Sequence, residues 1–148
     1  MVRLVWDDKA ANFEEIETKR EGYKDYFASI EFIPNSSQSW NNKLFWGDNL
    51  EVLYYLLHSF EEEIDLIYID PPFFSGANYH LSIKEKETGD EYETVAYRDT
   101  WGNDLDFYLQ MLYQRLYLLK KLLSPSGLIF IHLDWHSAHY IRLILDEL

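Results

Sequence analysis

The chain has 148 residues, of which 47% are hydrophobic and 18% aromatic, with no cysteine and a formal net charge of −13. That composition suits one globular domain with a real core, and no apolar run approaches the ~20 residues of a membrane span. The lack of cysteine excludes disulfides, thiolate metal sites and thiol nucleophiles, and the acidity opposes any general grip on a phosphate backbone.

A chain this acidic either binds no nucleic acid or leaves the gripping surface to another segment. No signal-peptide hydrophobic region opens the sequence, so a cytoplasmic protein without a membrane partner is expected. Residues 1–40 read as an N-terminal arm or extension. The stretch 12–26 is highly charged with scattered aromatics, as in an outer helix or arm, and 34–39 (Pro-Asn-Ser-Ser-Gln-Ser) reads as a loop. Leu44–Trp46 has the character of a strand, and Leu50, Leu53, Leu57 and Phe60 then recur at helical spacing. Asp48 stands between them, with Glu51 three residues on, close to a capping box. Glu61, Glu62 and Glu63 read as a solvated connector.

The run from Asp65 to Ile69 is short, apolar and β-branched, and two prolines end it at Asp70-Pro71-Pro72-Phe73. Such a run is a buried strand, and neither proline can extend its ladder. Asp70 therefore stands at the strand's carboxyl end, the edge at which open α/β sheets bind ligands. The residue types suit one chemistry. The Asp70 carboxylate and the Pro71 carbonyl are acceptors for the two hydrogens of an exocyclic amine on a nucleobase. They would draw its nitrogen toward tetrahedral geometry and stabilise positive charge as it attacks. Phe73 offers a face on which a flipped base can stack. A strand followed by a proline-stiffened turn is the structural alternative.

Residues 74–98 read as a long polar segment between strand and helix, either an ordinary loop or one that closes over a flipped nucleotide, with Phe74 and Tyr79 adding stacking. A long helix follows, capped by Asn103, with Asp104 and Asp106 in its first turn and Lys120 and Lys121 in its last. Leu105, Leu109, Leu112, Leu116, Leu119 and Leu123 form its apolar stripe. Ser124-Pro125-Ser126-Gly127 stops it, and Leu128–Leu133 reads as a second buried strand ending at Asp134. Ser137 then caps a last helix with Ile141, Ile144, Leu145 and Leu148 inside. His132, His136 and His139 have no standard ligand spacing beside Asp134, so no metal is expected.

Lys43–Leu50 closed by Gly47-Asp48-Asn49, then Asp70-Pro71-Pro72-Phe73, then Asp99-Thr100-Trp101, resembles the amino-methylating DNA methyltransferases. The nearest likeness is to the permuted (beta) group that includes type III modification subunits, and it covers roughly residues 43–148. The resemblance implies an α/β chain, part of a Rossmann-like S-adenosylmethionine-dependent fold with a mainly parallel sheet. It implies that Asp48, Asn49 and Asp70 face S-adenosylmethionine and that Asp70, Pro71, Pro72 and Phe73 are the catalytic motif. Methylation at cytosine C5 through a thiolate adduct is excluded, because there is no cysteine.

No Phe-x-Gly-x-Gly cofactor loop is present, and no two of the six glycines lie close together. The sequence also stops within the last helical pattern, with Asp146 and Glu147 at the unfavourable end. Residues 41–148 are therefore expected to be the N-terminal, motif-bearing part of a methyltransferase domain, cut before the target-recognition region and the glycine loop. The parent enzyme would methylate adenine N6 in DNA. Cytosine N4, an RNA adenine, or a non-catalytic interaction module keeping the fold are the alternatives. Expected partners are DNA through the whole protein, a restriction subunit, and other copies of the isolated chain by self-association; the isolated chain is expected to be inactive.

Overall fold

The computed structural model describes residues 3–7, 9, 18, 29–33, 42–85, 91–101 and 104–148. The reading of 12–26 as an outer helix (Thr18 apart), of 34–39 as a loop and of Asn103 as a cap lies outside them. Among the described residues six strands and three helices follow one another as β1 (Ser29–Ile33), β2 (Asn42–Trp46), α1 (Asn49–Phe60), β3 (Ile64–Ile69), β4 (Asn78–Lys84), β5 (Glu91–Arg98), α2 (Leu105–Leu122), β6 (Leu123–Ile131) and α3 (Ala138–Glu147). The chain is thus mixed α/β.

The sheets are small. β3 and β6 pair in parallel, whereas β1–β2 and β4–β5 are antiparallel pairs. The expectation of a mainly parallel sheet is corrected to this single parallel pair among the described residues. In the pair, Ile67 faces Ile129 and Ile69 faces Ile131. One face packs on the helices, with Ile67 buried, while Leu66, Tyr68, Leu128 and Phe130 on the other are more than half exposed.

Both long helices start where an acid caps them. The Asp48 carboxylate accepts from the Leu50 N–H at 2.8 Å, and Glu51 follows in the first turn of α1. Asp104 does the same for α2, accepting from the Phe107 N–H at 3.0 Å. Leu53, Tyr54 and Leu57 of α1 pack against Leu109, Leu112, Leu116 and Leu119 of α2, and Ile141 and Ile144 of α3 complete the core. Leu145, expected inside, is 37% exposed: the apolar stripe of α3 is narrower than the sequence suggests. Near the N-terminus, Trp6 is buried edge-on against Tyr113, and its indole N–H donates to Gln110 at 2.7 Å.

Two expectations about element boundaries are revised. The strand after α2 begins at Leu123 rather than Leu128, because Leu123 pairs with Ile64 and the Ser124 hydroxyl donates to Asp65 at 2.9 Å. Gly127 permits this tight join: a Cβ there would lie 2.7 Å from Leu123 Cδ1 and 2.8 Å from the Ile64 carbonyl oxygen. The polar stretch 74–98 is mostly a hairpin and not a loop. Tyr79, Leu81 and Ile83 alternate along β4, and Leu81 faces Thr94 and Ile83 faces Tyr92 across the ladder. The neighbouring charges obscured that period-two pattern.

Candidate functional site

β3 ends at Ile69, whose carbonyl accepts from the His132 N–H at 2.9 Å, and Asp70 emerges exposed at the carboxyl end of the parallel pair. Pro71 and Pro72 cannot donate, so the chain leaves the sheet here as the sequence indicates. The turn that follows separates two concavities. One, of about 360 Å³, opens between α1 and α2 and is walled by Val52, Leu53, Ile69 and Leu112, with Asn49, Asp70 and Arg115 as its polar groups. The other, of about 530 Å³, is lined by Asp70, Pro71, Pro72, Phe73 and His132. Asp70, Pro71 and Pro72 are common walls of both.

Phe73 stands in the second concavity, its ring 5.5 Å from that of His132 and tilted by 54°. Phe74 turns the other way and packs on Tyr108 at 5.1 Å, in the left-handed region with φ +63°. Tyr79 reaches the Ser75 hydroxyl at 3.2 Å. Neither Phe74 nor Tyr79 is among the residues lining the two concavities, so the structure groups Phe73 with Asp70 and places these two aromatics behind the turn.

Asp48 and Asn49 lie at the start of α1, and Arg115 of α2 holds both. Its Nε donates to Asn49 Oδ1 at 2.7 Å, one terminal nitrogen donates to the Met111 carbonyl at 2.9 Å, and the other lies 3.7 Å from the Asp48 carboxylate. Burial lowers the Arg115 pKa, and the Asp48 charge opposes that shift. Sequence reasoning missed Arg115. A lone cation between the ends of a leucine-striped helix was its signal, but what it reaches depends on how α1 lies against α2.

The turn is held from behind by two more residues that sequence reasoning left without a role. The Asp99 carboxylate, fully buried, accepts from the Phe73 N–H at 3.2 Å, the Phe74 N–H at 3.1 Å and the Ser75 N–H at 2.7 Å. It also accepts from the Ser75 hydroxyl at 2.6 Å and the Trp101 indole at 2.8 Å. Burial by itself would raise the Asp99 pKa, but these bonds, led by those from Ser75, outweigh it and hold the carboxyl below its ordinary value. The Tyr108 hydroxyl donates to the Pro72 carbonyl at 2.7 Å, and burial pushes its pKa up to about 12, so it stays a donor.

The histidines are dispersed. His132 lies beside Phe73, His136 pairs with the Asp134 carboxylate at 2.6 Å and stacks on Trp135, and His139 lies against Tyr140. No group of three or more His, Cys, Asp or Glu among the described residues is arranged to hold a metal ion.

Comparison with known proteins decides the family. Residues 64–148, from the first residue of β3 through α3, match the DNA methylase family. The chain belongs to that family. This DNA methylase chain is 32% identical over 123 residues to the type III restriction-modification enzyme StyLTI Mod subunit of Salmonella typhimurium, an alignment covering 73% of the chain and 18% of that subunit. It is 32% identical over 119 residues to the EcoPI Mod subunit of Escherichia phage P1, covering 72% of the chain and 18% of the subunit. The type II methyltransferase M.EcaI of Enterobacter cloacae is 26% identical over 118 residues, covering 80% of the chain and 24% of that enzyme. The chain thus spans between a sixth and a quarter of the length of these relatives.

Proposed function

We propose that this DNA methylase chain is the base-presenting part of a permuted DNA amino-methyltransferase that methylates adenine N6. The observation carrying this reading is the turn at Asp70-Pro71-Pro72, a shared wall between an apolar concavity and one bearing an aromatic face. Two-substrate transfer needs such an arrangement, because the attacking nitrogen and the methyl donor must meet across one set of acceptors. The type III relatives, named as Mod subunits, support it.

In the proposed reaction the Asp70 carboxylate and the Pro71 carbonyl accept hydrogen bonds from the two N–H groups of the target amine. The acceptors draw the nitrogen lone pair out of conjugation, and the carboxylate offsets the positive charge that grows on nitrogen. Phe73 stacks on the extruded base, with Phe74 and Tyr79 supporting the turn from behind. S-adenosylmethionine, when bound, supplies the electrophilic methyl group. The donor set on the chain fits part of it: the walls of the 360 Å³ concavity are apolar, and Asn49 and Asp70 at its rim, with Asp48 beside them, are acceptors for amino groups. Arg115 keeps Asp48 and Asn49 in place.

DNA would be held by the remainder of a longer protein, given the net charge of −13 here, with a restriction subunit as its partner. The test is methylation of plasmid DNA by that complete protein, followed by mass spectrometry of the nucleosides. N6-methyladenine is expected. N4-methylcytosine would retain the acceptor turn and overturn the choice of base. A protein showing neither cofactor binding nor methylated product would support an interaction module instead.

A further inference from the structure

Asp99 is the one fully buried charged side chain among the described residues, and it has no cationic partner among them. Its five donors divide unequally: Phe73 N–H, Ser75 N–H and the Ser75 hydroxyl go to one oxygen, Phe74 N–H and the Trp101 indole to the other. Three of them are consecutive backbone groups of the turn that carries Phe73. The anchor itself is fixed, since the Asp99 N–H donates to the Ala77 carbonyl at 2.9 Å and its carbonyl accepts from the Gly76 N–H at 3.1 Å. Tyr108 closes the other side through Pro72.

The turn needs holding. Phe74 sits at φ +63°, a conformation that disfavours any side chain beyond Cα and persists only where the surroundings enforce it. The clamp takes up Pro72 O and the N–H groups of residues 73–75. Among the described residues it leaves the Asp70 carboxylate and the Pro71 carbonyl without a hydrogen bond.

We propose that Asp99 is a positioning residue for methyl transfer: its carboxylate fixes the Phe73–Ser75 turn so that Phe73 faces its concavity while Asp70 and Pro71 keep their acceptors free for the target amine. This rests on the reading of Asp70–Phe73 given above. Asparagine is the discriminating replacement. It has nearly the same shape, but its single carbonyl oxygen serves one side of the clamp and its NH₂ group opposes donors on the other.

The test has two arms. In the 148-residue chain, amide exchange followed by NMR should quicken at least about tenfold at Phe73, Phe74 and Ser75 in Asp99→Asn, while Leu112 and Leu116 in α2 stay protected. In the complete methyltransferase, Asp99→Asn should lower kcat about 100-fold, as expected for a misplaced reacting group, and raise the KM for DNA by no more than Phe73→Ala does. Ser75→Ala keeps the carboxylate and its four other donors and should lose about fivefold in kcat, the worth of its hydrogen bond to Asp99; the hydroxyl's contacts with Tyr79 and the Ala77 N–H are lost with it. This variant carries the test if Asp99→Asn fails to fold. Exchange at residues 73–75 that does not respond to either variant overturns the proposal, as does faster exchange with unaltered kcat. Asp70→Ala separates this from the underlying reading: it should lower turnover by roughly 10²–10³ and leave exchange at 73–75 as it was. An active Asp70→Ala enzyme would remove the Asp70 assignment, while the exchange arm would still decide whether Asp99 holds the turn.

Discussion

Asp70 offers the cleanest separation of function from folding. Its carboxylate is exposed at the end of β3 and makes no hydrogen bond or ion pair with any described residue. Truncation to alanine strands no buried partner and opens no cavity, so stability should stay within about 0.5 kcal/mol, the usual range for surface substitutions. Turnover should behave oppositely. An acceptor aimed at charge developing in the transition state is worth roughly 10²–10³ in rate, or about 2.7–4 kcal/mol. Asp70→Asn keeps one acceptor but not the charge, and should fall between alanine and the parent. The assay is single-turnover methylation of a DNA substrate by the complete enzyme, beside urea unfolding and calorimetric titration of S-adenosylmethionine. Methylation by Asp70→Ala at close to the parental rate would refute the assignment. So would lost activity accompanied by a clear loss of stability, since the residue would then be holding the fold.

A stacking role for Phe73 tolerates any aromatic: Phe73→Tyr should stay active, and Phe73→Ala should lose ~1–3 kcal/mol of base binding, read from the KM for DNA. Gly127→Ala should destabilise the chain by about 1–3 kcal/mol in urea, because the added methyl meets Leu123 and the Ile64 backbone below 3 Å; an unchanged midpoint would mean that the β3–β6 join is looser than described. Asp99, held below the ordinary carboxylate value of 3.8 by its hydrogen bonds, should contribute its stability in full above that pH and lose it as pH falls through the lower folded value. Acid unfolding of Asp99→Asn should therefore lack that component. The bare face of Leu66, Tyr68, Leu128 and Phe130 should make the isolated chain self-associate in light scattering, and a monodisperse monomer would count against that expectation.

Much of the local structure was legible. Asp48 and the acids near residue 104 marked helix starts, because a cap is satisfied by residues two or three positions away. Two consecutive prolines placed Asp70 at a strand end, because a missing N–H acts where it stands. The motif Asp70–Phe73 was therefore visible without any tertiary information, and so was the leucine stripe that builds the core.

Relations between distant residues were not legible. The alternation of Tyr79, Leu81 and Ile83 becomes a strand only when β5 supplies its ladder, and the charges around it argued for a loop. Asp99 stands out in sequence only as part of the Asp99-Thr100-Trp101 motif, and its role stays hidden until the fold brings three turn amides to it. Arg115 is similarly an ordinary helix cation until α1 packs beside it. Sequence determined where elements begin, where they stop and which acceptors stand at the strand end, since capping, chain stiffness and apolar period act over a few residues. Only tertiary structure decided which buried charge the motif's own backbone would hold, because a carboxylate's worth in the interior depends on donors 24 to 26 residues away that no local pattern can supply.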